Sequence, residues 1–224
     1  MSENKRYNIR KVILLALMVA LAYVIEYVVH VKVLFLTFDI KDSVIVLASM
    51  IIGPWASPVI SLVLSFIEFI TISDTGIWGL IMNFIGSVSF SLTVSLIYKF
   101  KKNFFGAVVS LISGVFMGTA VMLIMNMIIT PIYTGSSAGD VLKMIPSLLL
   151  PFNLAKYMLN ASVVAFLYKP VITALRKIGF IENGSSSMKF GKNTVIMLIF
   201  ALLAALISVS ILLFFLKADF SFFK

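Results

Sequence analysis

Residues 151–160 read PFNLAKYMLN and carry Asn153, Lys156 and Asn160 at i, i+3 and i+7, so one helical face presents all three. An amide offers a donor beside an acceptor, whereas an ammonium offers donors only. Such a face can read the edge of a polar heterocycle. Pro151 removes a backbone donor and loosens the ladder above it. Asn126, in MLIMNMIITPIY, and Asn83, in WGLIMNFIGS, add two more amides. All of these lie in apolar stretches, where an unpartnered amide costs a few kcal/mol and an ionised side chain roughly 2.5–3.5 kcal/mol at mid-depth in a membrane. The alternative use of the same groups is to tie helices together, with Lys156 reaching the membrane surface on its long stem. Asn83, Asn126 and Asn153 fall at comparable depth on three different helices, which favours a shared pocket. Glu68 could pair with Lys156, but an interfacial position is expected of it. Glu26, His30 and Lys32 end the first helix and read as interfacial groups. Met122, Met125 and Met127 surround Asn126 and can line a pocket for a flat aromatic ligand or pack as ordinary core.

The elements that would position these groups are membrane helices. Of 224 residues, 61% are hydrophobic and 12% charged, and the mean hydropathy is +1.13. Soluble domains run nearer 45–50% apolar and about 25% charged. A soluble globule, a disordered chain and a nucleic-acid-binding domain are poor fits, although the net charge is +9. There is no Cys and one His, which removes thiolate metal sites and disulfides and argues against His clusters and Ser-His-Asp triads. SSSMKFGKNT departs from a phosphate-binding loop at Ser186 and Asn193. No H-E-x-x-H occurs, and Ser113-Gly114 has no imidazole within reach. An enzyme is not expected, and no cofactor is called for. The N-x-S matches at Asn160 and Asn183 read as chance.

A helix needs about 20 apolar residues to cross a bilayer. Spans are predicted over 12–29, 76–98, 104–129, 146–168 and 194–216. The apolar stretch 43–70 is broken at Gly53-Pro54, giving helices over 42–52 and 54–71. The first of these is too short to span and must lie in the protein interior. With the N-terminus inside, most Lys and Arg fall on the inner side, including Lys5, Arg6, Arg10, Lys11, Lys99, Lys101, Lys102 and Lys169. That bias predicts a multi-pass protein of the cell membrane with a cytoplasmic N-terminus and an extracellular C-terminus. The expected organisation is a six-helix unit over 1–175, a cytoplasmic linker over 176–193 containing ENGSSS, and an extra helix and tail over 194–224. Ala16/Ala20 and Gly114/Gly118 are small-xxx-small pairs suited to close helix contact.

The order of these features, A-x-x-x-A, the loop FLTFDIKDS, IIGPWASP, NMIITPIY and PFNLAKYMLN, resembles the substrate-binding S component of energy-coupling factor (ECF) vitamin transporters, in its riboflavin-binding branch. The resemblance covers roughly residues 8–172, and P-F-N-x-x-K is its most specific part. It implies an all-α bundle of six helices that takes riboflavin at its outer face. Asn126, Asn153 and Lys156 would hold the flavin ring. Residues 36–42, including Leu36, Thr37, Phe38, Asp39 and Asp42, would form a lid. Asp39 or Asp42 would suit the ribityl hydroxyls, and Ala16 and Ala20 would face the transmembrane coupling subunit, which works with two ABC ATPases. FMN would be compatible, and so would another vitamin in place of riboflavin. The helix over 194–216 departs from the family's six, and a purely structural membrane protein is the remaining alternative.

Overall fold

The computed structural model describes residues 3–177 and 192–215. Its apolar runs fold into α1 (Glu3–Val28), α2 (Lys41–Ile52), α3 (Ala56–Thr71), α4 (Gly76–Phe100), α5 (Phe104–Thr134), α6 (Ala138–Met144), α7 (Leu150–Lys177) and α8 (Lys192–Ser210). Five segments are long and apolar enough to cross a membrane: Ile9–Val28, Gly76–Phe100, Phe105–Thr134, Ala138–Leu175 and Thr194–Phe214. One departure from an all-α fold is a short antiparallel hairpin, β1 (Val31–Val33) and β2 (Leu36–Phe38), with Val31 opposite Phe38 and Val33 opposite Leu36. Leu34, at its tip, adopts φ 56°.

The packing is that of a bundle in lipid. On α3 the buried face is Ala56, Ser57, Ile60, Ser61, Leu64, Ser65 and Glu68, while Val59, Leu62, Val63, Phe66 and Ile70 are exposed. Ser57, Ser61, Ser65 and Glu68 thus point inward beside Ile60 and Leu64, and the other large apolar side chains point outward, because lipid tails receive the latter without cost and small residues let backbones approach. Ser57 and Ser91 hydroxyls meet at 2.6 Å between α3 and α4. Gly114 and Gly118 serve internal packing. A Cβ at Gly114 would meet Val94 and Phe90, and one at Gly118 the Tyr157 ring.

The Gly53-Pro54 break falls where expected, and α2 lies in the interior, with Lys41 through Ser49 all buried. It touches α1, α3, α4 and α7. Two predicted ends were too early. α5 runs past Pro131 to Thr134 and stops at Gly135, whose φ of 70° lets its N–H donate to the Pro131 carbonyl at 3.0 Å. α7 runs past Pro170 to Lys177. Its entry is also longer than predicted, with α6 and a π-helical turn (Ile145–Leu149) leading into it. α1 begins at Glu3, and its apolar span, Ile9–Val28, lies close to the predicted 12–29. α8 packs on α7 and ends in a second π-helical turn (Ile211–Phe215). Leu212 there is buried with Val31, Val33, Leu36, Phe38, Leu149 and Phe152. The linker expected over 176–193 lies, but for its first two and last two residues, outside the described residues.

Candidate functional site

A cavity of about 190 Å³ opens at the hairpin end of the bundle, among residues of α1, the hairpin, α2, α3, α4, α5 and α7. Of the residues singled out from sequence, Leu36, Thr37, Asp42, Asn83, Asn126, Asn153 and Lys156 line it. Met82, Trp78, Met122, Phe152 and Tyr157 supply its apolar surface. Tyr157 is itself backed by Phe90, with ring centroids 5.0 Å apart.

Two of the cavity amides are held by bonds to the preceding helical turn. Asn126 Nδ2 donates to the Met122 carbonyl at 2.7 Å, and its Oδ1 accepts from Thr130 at 2.9 Å. Asn153 Nδ2 donates to the Leu149 carbonyl at 2.7 Å, so the π-helical turn anchors it. One Nδ2 hydrogen and the Oδ1 of Asn153 take no protein partner among the described residues. A donor and an acceptor side by side are therefore left to the cavity. Lys156 Nζ donates to Asp39 Oδ2 at 2.8 Å and to the Thr37 carbonyl at 3.3 Å, which keeps one hydrogen in reserve. It turns onto β2 and the loop before α2.

Several expectations need correction. Asp39 and Phe38 do not line the cavity. Asp39 is 1% exposed and committed to Lys156 and to the Lys41 N–H at 3.3 Å. Phe38 is buried edge-on against Phe152. Asn160 is not part of the ligand-facing edge. Its Oδ1 accepts from the Ser43 N–H at 2.8 Å and its Nδ2 donates to the Asp39 carbonyl at 3.0 Å. Ile40 gives α2 no side-chain cap, and a residue from α7 supplies an acceptor to one of the orphan N–H donors of the helix start. Glu26 and Glu68 are not interfacial. They are 2% and 1% exposed, and both grip Lys41 Nζ at 2.7 Å. Asn83 Nδ2 donates to Glu68 Oε2 at 2.7 Å. This cluster was missed as a unit, although a carboxylate inside an apolar helix is the very signal that should have marked it. Ser87 donates to Asp42 Oδ1.

At the mouth, Lys32 of β1 pairs with Asp74 of the α3–α4 connection, and both line the cavity. The hydrogen bond and charge of Lys32 hold the Asp74 carboxyl below its ordinary value. Burial pushes His30 down, leaving the imidazole neutral there at neutral pH. Among the described residues no group of His, Cys, Asp and Glu could hold a metal ion. Ala16 and Ala20 lie on an exposed face of α1.

Residues 10–168 match the family described as ECF transporter, substrate-specific component. The chain belongs to that family. Its S-component fold agrees with a solved structure of the S component of a bacterial ECF transporter, which superposes with a TM-score of 0.64 at 26% identity over 78% of this chain and 99% of that one. A riboflavin transporter, RibU, from Staphylococcus aureus (strain TCH60) is 27% identical over 187 residues, 80% of this chain and 96% of the relative. As an S component, this multi-pass membrane protein is a non-catalytic transport subunit that binds a substrate and works with a coupling subunit and ATPases.

Proposed function

We propose that this S component captures riboflavin outside the cell and delivers it inward, as the flavin-binding subunit of an ECF importer. One observation carries the reading. Asn153 keeps an acceptor and a donor unused beside the spare hydrogen of Lys156, on the wall of one cavity. The pyrimidine edge of a flavin alternates carbonyl acceptors with an N–H donor, so it complements that set. Asn126, one helix away, extends the edge contact. The methionine, tryptophan and phenylalanine surface suits the flat dimethylbenzene end. The similarity to a riboflavin transporter supports the same ligand.

In this reading the N-terminus is cytoplasmic and the hairpin end faces outward. The hairpin and residues 36–42 cover the ligand, and the Ala16/Ala20 face meets the coupling subunit. Residues 1–175 are the transport unit, 176–193 a cytoplasmic linker, and 194–224 an appended helix and tail with an outside C-terminus. Energy comes from the two partner ATPases.

A thermal-shift panel of purified protein with riboflavin, FMN, thiamin, folate and pantothenate tests the ligand. Riboflavin should give the largest stabilisation, since a ligand that binds only the folded state adds RT ln(1 + [L]/Kd). A larger shift with a non-flavin vitamin would replace the reading. Two further outcomes are expected. Asp74→Asn should speed riboflavin release in stopped-flow by opening the Lys32 latch, while changing stability by less than about 1 kcal/mol, as exposed pairs do. Truncation after residue 193 should weaken riboflavin binding by less than about tenfold, because no residue of α8 lines the cavity and what is lost is the support Leu212 gives to Leu36 and Phe152. Loss of binding on truncation would make α8 part of the transport unit.

A further inference from the structure

α8 follows the residues that match the S-component family, and none of its side chains lines the cavity. Its far end nevertheless reaches the cavity's cover. The buried face of α8 is Thr194, Ala201 and Ser208, seven residues apart, and then Leu212 in the π-helical turn that follows. The three small side chains let α8 lie close along α7. Leu212 is the first large side chain buried on that face, at 1% exposed, whereas its neighbours Leu213 and Phe214 are exposed. It enters one apolar cluster with Val33, Leu36 and Phe38 of the hairpin and with Leu149 and Phe152 at the start of α7.

A two-stranded hairpin is marginally stable by itself. This one turns Val31, Val33, Leu36 and Phe38 to one buried side, so its position depends on what that side meets. Leu36 and Phe152 also line the cavity, and the Leu149 carbonyl holds Asn153. Leu212 therefore packs in the same cluster as cavity-lining side chains without lining the cavity itself.

We propose that Leu212 is a positioning residue, which props the hairpin against the start of α7 and so sets how fast the cavity opens and closes. The inference rests on the reading that the hairpin covers the ligand. Because Leu212 stands off the cavity, its loss acts on the cover and leaves the ligand's partners in place. A cover that opens more often speeds entry and release alike, so the dissociation constant changes little. Polar bonds still hold the hairpin when the prop is gone, from Lys32 to Asp74 and from Lys156 to the Thr37 carbonyl.

The test uses full-length Leu212→Ala in detergent, with Leu213→Ala as the control. Hydrogen exchange over residues 31–38, read by mass spectrometry, reports hairpin opening without any flavin. Stopped-flow quenching of flavin fluorescence gives the entry and release rates of riboflavin. Leu212→Ala should speed hairpin exchange by about fivefold or more. Entry and release should each rise by about threefold or more, with the dissociation constant within about threefold of wild type. Leu212→Met, which refills the space, should return both readouts close to wild type. If the alanine protein does not fold, Leu212→Val, shorter by one methylene, carries the same comparison with smaller changes. Unchanged hairpin exchange, or equal effects of Leu212→Ala and Leu213→Ala, would overturn the prop. Faster exchange with unchanged flavin rates, or faster release without faster entry, would overturn the control of opening. A wild type that binds no flavin would overturn the flavin reading, and the exchange comparison would still decide whether Leu212 holds the hairpin.

Discussion

Replacing Lys41 with methionine is expected to destabilise the protein by about 3–5 kcal/mol, the cost of leaving partner charges buried and uncompensated. Its ammonium lies 2.7 Å from carboxylate oxygens of both Glu26 and Glu68, and all three side chains are 1–2% exposed. The pair of contacts ties α2 to α1 and α3. Its removal leaves two buried carboxylic side chains without their shared cation, and they must then take up protons or admit water. The measurement is thermal unfolding in detergent, with Lys32→Met as the control. Lys32 also pairs with a carboxylate, but both partners are more than half exposed, so that change should stay within about 1 kcal/mol. A Lys41→Met protein as stable as wild type would mean that the cluster contributes no net stability. The triple change Glu26→Gln, Lys41→Met and Glu68→Gln should recover part of the loss, since removing both signs of charge relieves the imbalance.

The sequence was legible where the physics is local. Apolar run length marked the spans, Gly53-Pro54 marked the break between α2 and α3, and the shortness of α2 required it to be interior. Amides in apolar helices marked Asn83, Asn126 and Asn153 as cavity residues. What could not be read depended on pairings distant in the chain. Lys156 and Asn160 share a face of α7, but Asp39 claims one and the start of α2 claims the other. Glu26 and Glu68 looked like interfacial residues because each lies near a helix end. Only the depth of the hairpin and of the α2 start above them shows that those ends are covered. Helix ends after Pro131 and Pro170 were also misjudged. Proline removes one backbone donor, but the flanking hydrogen bonds of these long helices persist, so α5 and α7 run on past it.

Asn153→Ala is expected to weaken riboflavin binding by roughly 10- to 100-fold, the equivalent of about 1–3 kcal/mol for ligand groups left without their partners. Folding should be little affected, because the one protein hydrogen bond lost goes to the Leu149 carbonyl within the same helical segment. Lys156→Ala is a less clean test. It would also leave Asp39 buried and unpaired, so loss of ligand and loss of structure would arrive together. Asn126→Ala should have a smaller effect than Asn153→Ala, as both polar ends of Asn126 are already engaged by Met122 and Thr130. Combined, the two substitutions should weaken binding by more than either alone, and a thermal midpoint near that of wild type would show that the bundle survives.

The most direct measurement is a riboflavin titration of the purified wild-type protein, followed by quenching of flavin fluorescence. Tight, saturable binding of one flavin per chain, much weakened by Asn153→Ala, is the predicted result. Absence of saturable flavin binding by a protein that unfolds cooperatively, or full retention of it in the Asn126→Ala, Asn153→Ala double variant, would contradict the account.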